Sequence, residues 1–189
     1  QHRLFLSRNY HLFPPLDCYN VWMNLTLMTD FSQMGINQTL LDVLKRLDFV
    51  VPTPIQRQAI PIAIEGKDVV GIAQTGTGKT LAFGIPMLQR LPQLKARGLV
   101  IVPTRELALQ VEEALRNVGG KLGLKTVVII GGAAMMPQIQ ALMRNPHVII
   151  ATPGRLNDHL KQRTVRLDQV KIVVLDEADR MLDMGFAPQ

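Results

Sequence analysis

The fold is decided by Ala73-Gln74-Thr75-Gly76-Thr77-Gly78-Lys79-Thr80, a turn that joins two apolar segments. Residues 69–72 precede this turn and have the pattern of a buried strand, whereas residues 81–85 follow it and have the pattern of a helix. A buried strand, a glycine-rich turn that ends in Gly-Lys-Thr and a helix together form the arrangement of a P-loop.

Each part of this turn suits phosphate binding. Glycine lacks Cβ, so successive backbone N–H groups can curl around an anion, and the N-terminus of the following helix faces the same anion. Lys79 adds a positive charge for the β- and γ-phosphates, and Thr80 places a hydroxyl where Mg²⁺ would sit. The usual pattern begins with glycine where this chain has Ala73, and the alternative is an ordinary glycine-rich turn.

Composition limits the class of protein. The chain has 189 residues, is 47% hydrophobic and has a mean hydropathy of +0.14, which indicates one globular α/β domain and argues against disorder. No apolar run is long enough to span a bilayer. A net charge of +6 fits a polyanionic partner and equally a solvated basic surface. The single cysteine, Cys18, excludes a disulfide framework within the chain and favours a reducing, cytoplasmic setting.

Residues 1–27 differ from the remainder of the chain. They contain its only tryptophan, both tyrosines and its only cysteine, and they show no regular periodicity. We expect a non-native leader or a disordered arm, with Met28 as the natural start. The alternative is a native N-terminal arm that docks on the domain.

From Phe31 onward, helical and strand patterns alternate. Helices are predicted around residues 40–47, 55–64 and 107–118, and strands at 98–102, 126–130, 147–151 and 171–175. Continuous apolar runs of this kind are typical of parallel strands that are buried on both faces. The pattern predicts an α/β domain with a mostly parallel central sheet and helices on both of its faces.

Polar, glycine- and proline-containing stretches follow the predicted strands at residues 73–80, 103–106, 131–132, 152–155 and 176–179. Because the carboxyl ends of parallel strands meet at one edge of a sheet, these stretches are expected to form one surface. Asp176 could hold Mg²⁺, through water, opposite Thr80. Glu177 could orient or deprotonate an attacking water. The alternative is that these acids cap a helix that begins near Ala178.

The sequence Asp176-Glu177-Ala178-Asp179 spells the name of the DEAD-box RNA helicase family, and residues 28–189 resemble its N-terminal RecA-like domain. Seven family motifs are matched in the right order, which is far more specific than any one of them. The matched residues are Phe31, 49–56, 73–80 (where alanine at the first position is usual), 103–108, 131–132, 152–155 and 176–179.

The resemblance implies ATP with Mg²⁺ as cofactor, with ADP or AMP also possible in the isolated domain. It implies that Lys79, Asp176 and Glu177 are catalytic and that Thr80 and Asp176 hold the metal. The implied nucleotide-binding residues are Phe31, Phe49, Gln56, Thr75, Gly76, Thr77, Gly78, Lys79 and Thr80. Gln56 would read adenine through its side-chain amide, and Phe49 would stack on the base. The alternatives are an exposed glutamine at a helix start and phenylalanines that pack in the core.

The resemblance also implies contacts with the sugar–phosphate backbone of RNA, with little sequence preference. The implied residues are Pro103, Thr104, Arg105, Gly131, Gly132, Thr152, Pro153, Gly154 and Arg155. The alternative for each arginine is a surface ion pair. His147 and His159 are interpreted as structural, and Met135, Met136, Met181 and Met184 as packing residues.

The 189 residues do not include the second RecA-like domain of the family, with its arginine fingers. We therefore expect a monomer, without a membrane partner, that binds nucleotide weakly and has negligible ATPase and unwinding activity alone. Two other functions remain open. One is a DNA translocase or another P-loop ATPase that lacks adenine selectivity through Gln56. The other is a non-enzymatic RNA-binding module whose P-loop is vestigial.

Overall fold

The computed structural model describes the backbone of residues 3–5 and the residues 29–74 and 76–185 in full. Helices and strands alternate through the described residues. The helices are α1 (Gln38–Arg46), α2 (Pro54–Ile64), α3 (Lys79–Leu94), α4 (Arg105–Gly119), α5 (Met135–Met143), α6 (Pro153–Lys161) and α7 (Ala178–Asp183). The strands are β1 (Arg3–Phe5), β2 (Val70–Ile72), β3 (Arg97–Ile101), β4 (Thr126–Ile129), β5 (Val148–Ala151) and β6 (Val170–Leu175).

The strands form one sheet in the order β2-β1-β6-β3-β5-β4. β6, β3, β5 and β4 are paired in parallel, whereas β1 is antiparallel to both of its neighbours, β2 and β6. β2 therefore points in the same direction as the four parallel strands. The predicted mostly parallel sheet is confirmed.

Both faces of the sheet are covered by helices. On one face, side chains of α3 and α4 pack with alternate strand residues such as Val100, Ile150 and Val174. On the other face, α5 and α6 pack against the intervening residues, such as Leu99 and Ile149. This alternation follows from the two-residue period of a strand, and burial on both faces explains why the strands read as continuous apolar runs.

A third apolar cluster joins α1 and α2 to the outer side of α3 and α4. The periodic leucines of α1, Leu40 and Leu44, are buried in this cluster beside Ile60 of α2 and Ile85 of α3. Gln89 of α3 anchors the residues that precede α1. Its side chain accepts from Asn37 N–H and donates to the Gly35 carbonyl. This cluster holds the start of α2 close to the turn that precedes α3.

The predicted helices and strands are present, and their observed ends lie within a few residues of the predicted ones. The sequence patterns did not predict β1, α5 or α6. The interpretation of four methionines as packing residues is wrong for Met136 and Met184, which are 61% and 49% exposed, because each lies on the solvent side of a helix or at its end. Met181 is buried as expected.

The identity of residues 1–27 stays a prediction. Within that range the structure describes only the backbone of Arg3–Phe5, and the other residues lie outside the described part. Among the described residues, no helix combines the length and the apolar character required to cross a bilayer.

Candidate functional site: a nucleotide loop beside a polar sheet edge

The register of the sheet brings the polar stretches together. Ile129, Ala151, Ile101 and Leu175 are neighbours in one row across β4, β5, β3 and β6. Each of the four strands ends at this row, so the residues that follow emerge from one edge. We call it the motif edge, defined by residues 103–105, 131–132, 152–155 and 176–177. The prediction that they share one surface agrees with this register.

The turn between β2 and α3 is closed by its own side chains. Lys79 begins α3, is only 7% exposed, and donates from Nζ to the Ala73 carbonyl at 3.1 Å. Thr77 Oγ1 donates to the Gln74 carbonyl at 2.6 Å. Thr75 lies outside the described residues. Thr80, in the first turn of α3, is partly buried.

Gln56 connects α2 to this turn. Its Oε1 accepts from Thr53 N–H at 2.9 Å, and its Nε2 donates to the Gly78 carbonyl at 3.1 Å. Gly78 has φ +87°, and a Cβ added there would lie 2.4 Å from Gln56 Nε2, so only glycine fits. The alternative of an exposed glutamine is wrong, because Gln56 is 3% exposed and is held between the cap of α2 and the turn.

The two predicted aromatic contacts lie in different environments. Phe31 is 4% exposed and packs in the cluster of α1 and α2, as the packing alternative expected. Phe49 is 40% exposed in the loop after α1, and its backbone N–H donates to the Leu44 carbonyl. Phe49 therefore has an accessible ring face, whereas Phe31 supports the helices from within.

Asp176 and Glu177 follow β6 directly and are 3% and 5% exposed. Glu177 has φ +54°, a conformation that costs a non-glycine residue free energy and is concentrated at functional sites. Asp176 Oδ1 accepts from Glu177 N–H, and Glu177 Oε2 accepts from Arg180 Nη1 at 3.3 Å. Although Glu177 is the N-cap residue of α7, its side chain makes no capping hydrogen bond, which weakens the helix-cap alternative.

The loops of the motif edge contact each other. A Cβ on Gly132, which has φ +70°, would lie 2.3 Å from Arg105 Nη1, so the guanidinium packs directly on this glycine. Arg155 Nη1 donates to the Ala133 carbonyl at 2.8 Å, and Arg155 Nε lies 3.6 Å from Asp158 Oδ2. Three sequence-distant stretches thus form one continuous surface.

The remaining predicted residues of this edge, except Gly131, lie at helix starts. Thr104 caps α4, because its Oγ1 accepts from Leu107 N–H at 3.2 Å. Pro103 precedes this cap. Thr152 is the N-cap residue of α6, Pro153 is its first residue, and no atom would obstruct a Cβ on Gly154. Gly131 is also unobstructed. Two helix N-termini therefore point toward the motif edge, where they favour anions.

Gln138 of α5 supports the loop from inside. Its Oε1 accepts from Ile130 N–H, and its Nε2 donates to the carbonyls of Ile130 and Ala134, each at 3.1 Å. The side chain thereby fixes both ends of the loop that contains Gly131 and Gly132. Since Gln138 is 7% exposed, water competes little for these hydrogen bonds.

His159 of α6 is fully buried behind the same loop. Its Nδ1 lies 2.8 Å from Thr164 Oγ1, and its Nε2 lies 3.5 Å from Gln138 Oε1. Burial lowers the pKa of His159 below its usual value, the charge of Arg155 lowers it further, and Asp158 acts in the opposite direction. These contacts support the structural interpretation of His159.

Sequence reasoning missed Gln138, Asp158 and Arg180. The last two lie three residues after Arg155 and Glu177, a spacing at which helical side chains meet, so the pattern could have revealed both pairs. Gln138 gave no such signal, because nothing in the sequence indicates that a polar residue on α5 faces inward.

A cavity of about 110 Å³ lies between α2, α3 and β6, and none of the predicted site residues that the structure describes lines it.

The sequence matches the DEAD/DEAH box helicase family over residues 53–189. It is 50% identical over 161 residues to the ATP-dependent rRNA helicase RRP3 of Debaryomyces hansenii, covering 84% of this chain and 34% of that protein. It is 48% identical over 161 residues to the DEAD-box ATP-dependent RNA helicase CshA of Bacillus cereus, covering 84% and 31%. The chain thus spans about a third of the length of these relatives.

Solved structures agree with the sequence comparison. The RNA helicase Prp28 of Chaetomium thermophilum, solved bound to ADP, superposes with a TM-score of 0.77 at 42% identity over 84% of this chain and 41% of that one. The yeast DEAD-box splicing factor Prp28 gives the same TM-score at 32% identity, over 85% and 41%. The prediction of a RecA-like P-loop fold is confirmed.

Proposed function

The chain belongs to the DEAD/DEAH box helicase family, and we propose on that basis that it is the nucleotide-binding RecA-like half of an ATP-dependent RNA helicase. In this role the described domain binds an adenine nucleotide and part of an RNA backbone. Hydrolysis and strand separation need a second domain, so the isolated chain is nearly inactive in both.

The closed turn supports a phosphate site. Lys79 Nζ is held by the Ala73 carbonyl, and a phosphate oxygen is a stronger, charge-assisted acceptor for the same amine. We propose that phosphate takes the ammonium group from this carbonyl while the N–H groups of residues 76–80 turn toward it. Binding would then exchange one internal hydrogen bond for several bonds to a dianion.

Gln56 has the right unused hydrogen-bonding capacity for adenine. Thr53 N–H occupies one lone pair of Oε1, and the Gly78 carbonyl takes one hydrogen of Nε2. The second lone pair can accept from the adenine N6 amino group, and the second hydrogen can bond N7. Phe49 is exposed in the loop that leads to α2 and supplies a ring for stacking.

The residues also fit Mg²⁺ held mainly by the nucleotide. Within residues 29–74 and 76–185, no three His, Cys, Asp or Glu side chains converge on a possible metal position, so a metal held by protein alone is not supported. Thr80 and Asp176 instead suit a cation that keeps waters and phosphate ligands, as Mg²⁺ prefers. When bound, Mg²⁺ would neutralise charge on the phosphates.

Glu177 is the proposed group that orients the attacking water and accepts its proton. It is buried after β6, and Arg180 holds its Oε2, so its carboxylate has a defined position. Asp176 accepts from the backbone N–H of Glu177, which fixes the backbone from which the Glu177 side chain extends. Lys79 would stabilise the charge that develops on the transferred phosphoryl group.

The motif edge is the proposed RNA contact. Arg105 lies on Gly132, Arg155 is held by Ala133, and the N-termini of α4 and α6 point to the same surface. These groups bind phosphate and carry no base-reading geometry, so we propose backbone contacts with little sequence preference.

The observation that carries the proposal is the bridge from Gln56 to Gly78, because it joins an adenine-reading amide to a phosphate-binding turn. A generic P-loop ATPase does not need this bridge. A vestigial P-loop would not need buried Lys79, Asp176 and Glu177 together. The adenine-selective ATPase is therefore preferred over both alternatives.

Calorimetric titration of the chain with ADP and with GDP, each with Mg²⁺, tests the proposal. We expect binding of ADP, at least tenfold weaker binding of GDP, and loss of this preference in Gln56→Ala. Gln140→Ala, an exposed glutamine on α5, is the matched control and should leave both affinities unchanged. Equal binding of ADP and GDP by the wild-type chain would support the generic ATPase instead.

A further inference from the structure

The opposite edge of the sheet carries a concentration of positive charge that the proposed function does not use. Helices α3 to α6 return from the motif edge to this side, and the segments 95–97, 120–125, 144–147 and 162–171 lead from them into β3, β4, β5 and β6. We call this surface the basic edge. Its cations are Lys95, Arg97, Lys121, Lys125, Arg144, Arg163, Arg166 and Lys171.

The basic edge accounts for the positive charge of the whole chain. It holds eight of the 21 lysines and arginines but only one of the 15 acidic residues, Asp168. The rest of the chain therefore has 13 cations and 14 acids and is close to neutral. The net charge of +6 is thus localised on one side of the sheet rather than spread as an ordinary solvated surface.

The sheet places two of these cations, Lys125 and Arg97, in one row with His147 between them. Lys125, His147 and Arg97 precede or begin neighbouring strands and are joined by backbone hydrogen bonds: His147 N–H donates to the Lys125 carbonyl and Gly98 N–H to the His147 carbonyl, each at 2.8 Å. Arg97 N–H donates to the Gln169 carbonyl of the next segment. At the usual strand separation of about 4.8 Å, these three strands place Lys125 and Arg97 about 10 Å apart.

The charges in the row are not neutralised by neighbouring acids. Arg97 Nη2 donates to Asn145 Oδ1 at 2.7 Å, and this partner is a neutral amide that orients the guanidinium without cancelling its charge. Of the eight cations, Arg166 alone has an ion pair within the described part of the chain, with Asp168 at 3.4 Å. Nearby Glu112 of α4 is engaged by Thr126 and Arg116.

We propose that the basic edge binds the phosphate backbone of a second segment of RNA, distinct from the segment at the motif edge. A row of about 10 Å matches four phosphates, which span three steps of the 3.4 Å rise of one stacked strand. The strands have four to six residues at about 3.3 Å each, so the two edges are about 15 Å apart and a strand at one edge leaves the other free. The site needs neither ATP nor the closed nucleotide turn.

Such a contact would keep an RNA strand attached to the domain. An edge that binds backbone charge at a distance from the motif edge keeps RNA near the domain while the motif edge releases it. Because the contact depends on counterion release, its affinity falls steeply with salt and is insensitive to base sequence. This property separates it from a pocket that reads bases.

The test uses the full chain and a fluorescent 20-nucleotide uridine RNA, followed by anisotropy from 50 to 300 mM salt. Arg97→Glu/Lys125→Glu should weaken binding at least tenfold at 50 mM salt. The slope of log affinity against log salt should become shallower by about 1.4, as expected for two lost phosphate contacts on a single strand. Arg97→Gln/Lys125→Gln should also weaken RNA binding, but by a smaller factor than the charge reversal does.

Lys45→Glu/Arg46→Glu is the matched control, because these exposed cations of α1 give the same change in net charge away from the basic edge. It should weaken RNA binding less than threefold. Equal losses in the two charge-reversal pairs would mean that only net charge matters and would overturn the proposal. Thermal unfolding and ADP binding should be unchanged in both pairs.

Crosslinking with 4-thiouridine RNA locates the contact directly. Crosslinked peptides should include residues 95–97, 121–125 or 144–147, and they should persist in Arg105→Ala. Crosslinks confined to the motif edge would overturn the proposal. Competition by poly-glutamate equal, per charge, to that by unlabelled RNA would also overturn it and would indicate an acidic protein partner.

Discussion

The nucleotide turn and the motif edge are proposed to bind the same chemical group, phosphate, but they are built in different ways. In the turn, the side chains of Thr77 and Lys79 bond carbonyls only three and six residues away. At the motif edge, Arg155 bonds a carbonyl 22 residues away, and Arg105 lies on Gly132 from another strand end. The turn is held by contacts within its own segment, whereas the motif edge exists only when four strands are in register.

Because of this difference, we expect the two sites to respond to different kinds of amino-acid substitution. A local turn fails when one of its own backbone conformations is made unfavourable. A surface assembled from several loops fails when the groups that hold the loops are removed, even if those groups never contact ligand. The substitutions below are chosen to separate these two cases.

The largest effect is expected from Gly78→Ala. The residue has φ +87°, and its new Cβ would collide with Gln56 Nε2, so both the turn and the bridge to α2 must shift. Strain of about 1–3 kcal/mol together with the lost bridge should lower ADP affinity about 100-fold by calorimetry. Gly154→Ala, which meets no atom within 4 Å, should bind ADP normally. Normal ADP binding by Gly78→Ala would show that the turn tolerates another conformation.

Gln138→Ala should cost about 2 kcal/mol of unfolding free energy in urea. The substitution leaves the N–H and C=O of Ile130 buried without their side-chain partner, which costs more than one ordinary hydrogen bond. Gln140→Ala on the exposed side of the same helix should change stability by less than about 0.5 kcal/mol. Similar losses in the two variants would contradict loop support by Gln138, because alanine favours a helix at least as strongly as glutamine does.

Gly132→Ala should lower RNA affinity about tenfold and leave ADP affinity unchanged. A Cβ at this position must displace the guanidinium of Arg105, and φ +70° adds strain. Gln140→Ala, at an exposed position on α5 outside the motif edge, is the control. RNA anisotropy measures the effect, and equal affinity for the two variants would contradict a role for the contact between Arg105 and Gly132.

The smallest effect is expected from pH. The folded state lowers the pKa of His159, so the unfolded chain binds a proton more readily than the folded chain does. Well above pH 6.5 the imidazole is neutral in both states, so the contribution of His159 to the free energy of unfolding is constant. As pH falls through 6.5 and below, the free energy of unfolding should decrease, and His159→Gln should reduce this dependence while the exposed control Gln140→Ala should not. Urea unfolding at pH 7.5 and 5.5 measures the difference.

The sequence predictions were accurate for features set by neighbouring residues and missed contacts between distant segments. Strand positions and the turn were predicted because apolar runs and glycine spacing are local signals. Gln56 was predicted only from the family resemblance, and its bond to Gly78 came from the structure. The inward-facing Gln138 and the pairing of Arg155 with Ala133 and Asp158 were not predicted, because they depend on how α5 and α6 pack. The roles assigned to individual site residues stay predictions until the binding experiments are done.

The sequence by itself determined the class of fold, the position of the glycine-rich P-loop turn and the order of the motifs, since each is encoded within a few consecutive residues. The tertiary structure alone decided which groups meet. It aligned the ends of β4, β5, β3 and β6 in one row, closed Gln56 onto Gly78, and collected eight cations on the opposite edge. The physical reason is that register and helix packing are set by the burial of the whole core, which no short segment specifies alone.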